Sequence, residues 1–341
     1  MNTTVRLAVS LGDPAGIGPE VVEKALPPFL TQHDAVQLVL IGPDELARGI
    51  VDRVLARPLV AARRAECAAR LHVDATGSQA RFLGPIGRAS AEGGEAALAA
   101  FMRAIQLAKN REVDALVTAP ISKEALALAG CADRGHTEIL ARELGAGPTA
   151  MAFVSGGDSA VAHRASPGAL RVVLVTAHVS LRQAIELLSV ERVVATARLF
   201  ADALRGPFGI ARPHLALAGL NPHAGEKGLM GDEETLVLEP AVVAARAAGV
   251  DLAGPYPADS VFRRATLGEF DGVVALYHDQ ALIPLKLLAF GQATNVTLGL
   301  SVPRTSPDHG TAFDLAGQGR AHPEGMLAAL ETAAHLAGVR R

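Results

Sequence analysis

The chain has 341 residues, of which 50% are hydrophobic but only 4% aromatic, with no tryptophan and a formal net charge of −3. A chain of this length divides into roughly two domains, and its core has to be built from Ala, Val, Leu and Ile, side chains that suit helices packed closely on parallel strands. A charge so near neutral offers no basic field to nucleic acid or anionic lipid, so neither is expected as a partner.

From the N-terminus, VRLAVSL (5–11) is the first strand-like run and is too short for a secretory signal. GDPAGIGPE (12–20) precedes a helix opened by Pro19, yet its glycine spacing is neither the dinucleotide fingerprint nor the P-loop. VQLVLIG (36–42) is the second strand. Cys67 and Cys131 have no paired spacing, which fits a reducing compartment and argues against a disulfide framework or a cysteine-based zinc site. GGEAALAAFMRAIQLAKN (93–110) carries apolar residues at helical spacing up to Asn110. After the strand VDALVTA (113–119), Ser122 can cap a helix that stops before Gly130, and GHTEILARELG (135–145) starts another helix at His136 and Thr137. The Gly/Ser-rich stretch 154–169 reads as a loop. LRVVLVTA (170–177) is a strand, and Ser180 can cap the helix after it. HLALAGL (214–220), DGVVALY (271–277) and NVTLGL (295–300) complete the strands. This alternation predicts an α/β fold of mainly parallel sheets flanked by helices. No stretch approaches the roughly 18 uncharged apolar residues of a membrane span, so the chain is expected to be soluble and cytoplasmic.

Three histidines follow three of these strands: His178 after VVLVTA, His223 after LALAGLNP and His278 after VVALY. In open α/β sheets ligands bind beyond the carboxyl ends of the strands, so the three are candidates for one crevice. Singly, each is more often a hydrogen-bonded structural residue than a ligand. Jointly, they point to a divalent metal held by nitrogen, a ligand set that favours zinc, cobalt or manganese over calcium. Such an ion lowers the pKa of a bound hydroxyl and holds developing negative charge. His136 and Thr137 sit where helix N–H groups receive phosphate or carboxylate, unless Thr137 merely caps the helix. Lys286, Asn295 and Arg304, close in sequence to His278, can clamp an anionic substrate or lie as solvated surface residues.

Seven ordered motifs span nearly the whole chain: GDPAGIGPE (12–20), TAPISKEAL (118–126), GHTE (135–138), GLNPHAGE (219–226), GPYPADSVF (254–262), YHDQ (277–280), and NVTLGL with RTSPDHGTAFDLAG (295–317). Together they resemble the PdxA family of 4-hydroxythreonine-4-phosphate dehydrogenases, of isocitrate/isopropylmalate dehydrogenase-like fold. The resemblance implies two α/β domains, 1–135 with 310–341 and 136–309, with the active site in the interdomain cleft. It implies a homodimer whose subunits share that site, one metal ligand coming from the partner. His178, His223 and His278 would hold the metal, and His136, Thr137, Lys286, Asn295 and Arg304 the phosphorylated substrate. NAD or NADP would lie on His309, Gly310, Thr311, Asp314 and Gly317. Asp259, Asp279 and Lys286 are the candidate general bases, each aspartate being alternatively a partner of a metal-bound histidine, the reading preferred for Asp279.

The implied reaction is oxidation of 4-phosphooxy-L-threonine at C3, then decarboxylation to 3-amino-2-oxopropyl phosphate in pyridoxal phosphate biosynthesis. Alternatives are a dehydrogenase of a phosphorylated four-carbon sugar acid, such as threonate or erythronate 4-phosphate, and a non-redox metal-dependent lyase or phosphatase. The stretch 154–169 makes the chain longer than the family pattern between GHTE and TAHVSL, as a surface hairpin or a specificity loop.

Overall fold

Short runs of Val, Leu and Ala become strands where both faces are covered, and the pattern holds throughout the computed structural model. It describes residues 4–76, 82, 84–133, 135–144, 147–155 and 168–338; the core of the 154–169 loop, residues 156–167, lies outside them. In chain order the strands are β1 (Val5–Ser10), β2 (Val36–Gly42), β3 (Leu71–Ala75), β4 (Ala115–Thr118), β5 (Ala150–Ser155), β6 (Leu170–Leu174), β7 (Leu215–Ala218), β8 (Leu252–Tyr256), β9 (Gly272–Ala275), β10 (Thr294–Leu298) and β11 (Arg304–Pro307). Each of the seven expected runs holds a strand. Of the other four, β5 carries an apolar run, AMAFV, that is not among the seven expected, while β3 alternates with polar residues, β8 contains Gly-Pro and β11 reads RTSP, so that β3, β8 and β11 lack such a run. Their neighbours rather than their own hydrophobicity make them strands.

The chain packs as two units, Met1–Gly147 with Leu300–Arg341, and Pro148–Gly299. These bounds differ from the expected 1–135 with 310–341 and 136–309. The reason is packing. Ile139 and Leu140 of the helix His136–Leu144 share a buried cluster with Ala100, Phe101 and Leu116, and β11 pairs with β4, so both elements belong to the first unit.

In the first unit the strand order is β3-β2-β1-β4-β11, and every pairing is parallel. Connections run outward in opposite directions from β1 and β4, which makes their carboxyl ends the switch point where α/β sheets bind ligands. In the second unit the order is β10-β5-β6-β9-β7-β8, with β5 antiparallel to β10 and β6 and the remaining pairs parallel. This order sets β6, β9 and β7 side by side, the three strands that lead into His178, His278 and His223.

The helix signals are realised at the predicted caps. Pro19 lies in the first turn of Gly18–Gln32, and Asn110 ends Ala91–Lys109. The Ser122 hydroxyl accepts from Ala125 N at 3.1 Å, and Ser180 forms a reciprocal capping box with Gln183. Among the described residues no helix is long and apolar enough to cross a membrane.

Candidate active site

The second unit gathers the histidines through its strand order. The rings of His178 and His278 lie 5.7 Å apart, centroid to centroid. His278 Nδ1 is 2.7 Å from Asp279 Oδ1, and a neutral ring donating that N–H keeps the Nε2 lone pair for an external partner. His223 lies at the end of the adjacent β7 and opens an unusual turn. His223, Ala224, Gly225, Glu226 and Lys227 all have positive φ, between 44° and 75°. Left-handed backbone costs a non-glycine residue of order 1–2 kcal/mol, so the turn persists only if its surroundings hold it.

Those surroundings centre on Glu234. Its buried carboxylate accepts from Leu220 N at 2.7 Å, Asn221 N at 2.8 Å and Asn221 Nδ2 at 2.8 Å. Among the described residues no group of three His, Cys, Asp or Glu side chains is assembled to hold a metal. The donor set nevertheless fits a nitrogen-preferring divalent ion: two approaching imidazoles, one with its tautomer set by a carboxylate, and a third at the neighbouring strand end. Asp259 is exposed in the first turn of the helix Ala258–Thr266, just past β8. Lys286 lies on the helix His278–Ala289 with Nζ 5.9 Å from the centre of the Phe290 ring. Asn295 stands on β10 opposite Phe153, and its buried Oδ1 has no hydrogen-bond partner among the described residues.

The first unit holds the remaining predicted anion-binding residues. Arg304, on the polar strand β11, is only 2% exposed and donates from Nε and Nη2 to Thr118 Oγ1 at 3.2 and 2.6 Å. Burial pulls its pKa down to about 9, so the guanidinium is still charged at neutral pH. His136 begins its helix, which leaves Thr137 in the first turn rather than at the cap. The His136 ring meets Phe101 edge-on with centroids 4.6 Å apart, and its buried Nε2 has no partner among the described residues. Burial, reinforced by the Arg304 charge, holds the His136 pKa well below the usual imidazole range. A fixed cation and a neutral imidazole at a helix start are groups of the kind that can receive an oxyanion.

At the switch point the loop after β1 packs on the loop after β11. Ile17 N donates to Thr311 O at 2.9 Å, and a Cβ on Gly16 would come within 2.9 Å of the Thr311 Cβ. Gly12 has φ +69°, and a Cβ there would stand 2.3 Å from the Pro120 carbonyl oxygen, so only glycine fits. His309 Nδ1 lies 3.0 Å from Gly310 O, while its buried Nε2 has no partner among the described residues. Gly310, Asp314 and Gly317 are exposed along the same loop, Gly317 with φ +76°. An orphaned ring nitrogen beside an exposed, glycine-hinged loop fits a polar cofactor. Asp13 is fully buried there, with Oδ1 accepting from Ala15 N at 2.9 Å and its pKa raised by burial.

Sequence reasoning did not single out Asp13, Thr118, Gln280 or Glu234. The first three sit inside quoted motifs, but periodicity marks burial of apolar faces and is silent on a buried polar group. Glu234 lies outside every motif, and no local signal marks it.

Comparison with known proteins bears on what this arrangement serves. The sequence profile of the family described as pyridoxal phosphate biosynthetic protein PdxA matches residues 34–333. The chain is 44% identical over 335 residues to a protein of Beijerinckia indica subsp. indica named 4-hydroxythreonine-4-phosphate dehydrogenase, covering 97% of this chain and 94% of that protein. It is 41% identical over 344 residues to a Salmonella typhimurium protein named D-threonate 4-phosphate dehydrogenase, covering 98% of this chain and 99% of that one. A crystal structure of 4-hydroxythreonine-4-phosphate dehydrogenase from Klebsiella pneumoniae superposes with a TM-score of 0.80 at 38% identity, over 98% of this chain and 99% of that one.

Proposed function

This chain belongs to the PdxA family of pyridoxal phosphate biosynthetic proteins, and on that premise we propose that it oxidises 4-phosphooxy-L-threonine at C3 with NAD and a divalent metal. Hydride leaves C3 for the nicotinamide and the hydroxyl proton is released, giving 2-amino-3-oxo-4-phosphooxybutanoate and NADH. A carboxylate beta to the new carbonyl is then lost as carbon dioxide, leaving 3-amino-2-oxopropyl phosphate.

One observation carries the reading: Arg304 is a buried, charged guanidinium with the neutral His136 ring in its field, an arrangement suited to the substrate's phosphate. Thr137 joins them at the helix start, and Lys286 and Asn295 complete the set of polar groups for the substrate. His178, His223 and His278 would hold the metal, zinc first with magnesium or cobalt as alternatives. When bound, that ion supplies Lewis acidity at the substrate hydroxyl. Asp279 orients His278 through the 2.7 Å contact, which leaves Asp259 and Lys286 to take the proton. His309, Gly310, Thr311, Asp314 and Gly317 receive NAD or NADP, and the chain supplies position and charge to chemistry that is largely the cofactor's. The unpaired thiols Cys67 and Cys131 fit a reducing cytoplasm. Exposed Leu287, Phe290 and Leu229, at 84%, 80% and 81%, support a homodimer that covers them and shares the active site.

The relative named D-threonate 4-phosphate dehydrogenase favours a second reading, since its substrate carries the same 4-phosphate and differs at C2, where a hydroxyl replaces the amine. A phosphate receptor does not separate the two. A panel of 4-phosphooxy-L-threonine and the threonate and erythronate 4-phosphates, assayed with NAD by NADH absorbance, does. The aminated substrate is expected to give the highest kcat/KM. Preference for a sugar acid would transfer the assignment to the second reading, and no NADH with any of them would leave a non-redox lyase or phosphatase.

A further inference from the structure

A chain of buried polar side chains ties together the strand ends that carry the three histidines. From β6 to β9, the Thr176 hydroxyl donates to Leu276 O at 2.7 Å. From β9 to β7, Gln280 bridges with both ends of its amide: Oε1 accepts from Leu276 N at 2.7 Å and Nε2 donates to Gly219 O at 2.7 Å. Beyond β7, the Glu234 carboxylate takes the Leu220 and Asn221 amides and the Asn221 side chain. The three side chains are 4%, 8% and 2% exposed respectively. The ties fall at 176, 276 and 221, each two positions ahead of a histidine, at 178, 278 and 223.

We infer that Gln280 and Glu234 are positioning residues that fix the strand ends from which His278 and His223 project, and through them the affinity for a divalent cation. The inference rests on the metal reading above. Residue chemistry supports it at each point. A glutamate at 280 would direct a carboxylate oxygen at the Gly219 carbonyl, so the bridge requires an amide. Glu234 must accept at both oxygens, because each faces a donor. The turn that begins at His223 runs through six successive residues of positive φ, His223 to Gly228, a conformation that must be held from outside. Glu234 grips the two residues ahead of Pro222, where the chain enters that turn.

The test is a Co(II) titration of the purified full-length protein, followed by visible absorption, for wild type and for Gln280→Glu, Gln280→Met and Glu234→Gln. In variants whose circular dichroism matches wild type, the Co(II) dissociation constant is expected to rise roughly 10- to 100-fold, as when groups that orient metal ligands are removed, with a changed band shape. Folded variants with wild-type affinity and spectrum overturn the inference and leave the metal reading standing. Wild-type protein that takes up no Co(II) overturns both. Amide exchange in the metal-free wild type provides a readout that needs no variant: Leu220, Asn221 and Leu276 should exchange slowly, and exchange at open-loop rates would overturn the inference.

Discussion

At His136 burial and a neighbouring positive charge push in the same direction, both against protonation. The unfolded chain therefore takes up the proton first as pH falls, near the ordinary histidine value of about 6.5. The stability associated with the neutral ring is intact above that pH and is lost as pH drops toward the depressed folded value. His136→Asn should flatten this acid limb, so that urea midpoints between about pH 7 and pH 5 fall less steeply than in wild type; parallel slopes would refute the burial argument. Arg304 has the same sign at higher pH. Its cost develops as pH falls from the ordinary arginine range to about 9 and is constant below, so it adds no slope near neutrality. A hydrogen bond to a charged group is worth about 1.5–3 kcal/mol, so Arg304→Gln should raise KM for the phosphorylated substrate by roughly 10- to 100-fold while leaving KM for NAD unchanged. Equal effects on both constants would remove Arg304 from the phosphate receptor.

Elements in this chain are placed by close backbone approach as much as by apolar stripes. The helix Ala91–Lys109 meets the helix Lys123–Leu128 at Gly94, where a Cβ would lie 2.0 Å from the Ala125 carbonyl oxygen. In an exposed helix Gly→Ala gains about 1 kcal/mol. Here the sign reverses: Gly94→Ala is expected to cost about 1–3 kcal/mol by overpacking, measured by denaturant unfolding, and any stabilisation would contradict the packing. Ser90→Ala in the same helix removes the cap bond to Gly93 N at 3.1 Å and should cost about 1 kcal/mol. The strand β11 shows the opposite economy, four buried residues reading RTSP at the end of the first unit's strand order. A strand that breaks the rule of apolar interiors does so here where it carries Arg304 into the core.

At the scale of the whole molecule, apolar side chains left in solvent argue for association. Ile283 and Leu287 lie one helical turn apart on His278–Ala289, 59% and 84% exposed, and Phe290 follows at 80%. The same helix begins at His278, which links the apolar surface to the proposed metal ligand. Wild type is expected to sediment as the proposed dimer, and Leu287→Glu combined with Phe290→Glu should shift it to monomer and abolish turnover together. A monomer with full turnover would show that each subunit holds a complete site.

Length, composition and motif were enough to establish the α/β class, the seven main strands, the serine caps and the family, because apolar periodicity and cap chemistry are local. The histidines at 178, 223 and 278 were legible for the same reason, each being the point where an apolar run ends. Only the tertiary structure inserted β9 between β6 and β7, bringing His278 to within 5.7 Å of His178 across a hundred residues of chain. It alone showed Arg304 buried, the His223 turn left-handed, and Glu234 bonded to the two residues ahead of Pro222. Local pattern specifies which faces must leave water, whereas strand order and the burial of polar groups depend on partners distant in sequence, which no local window contains.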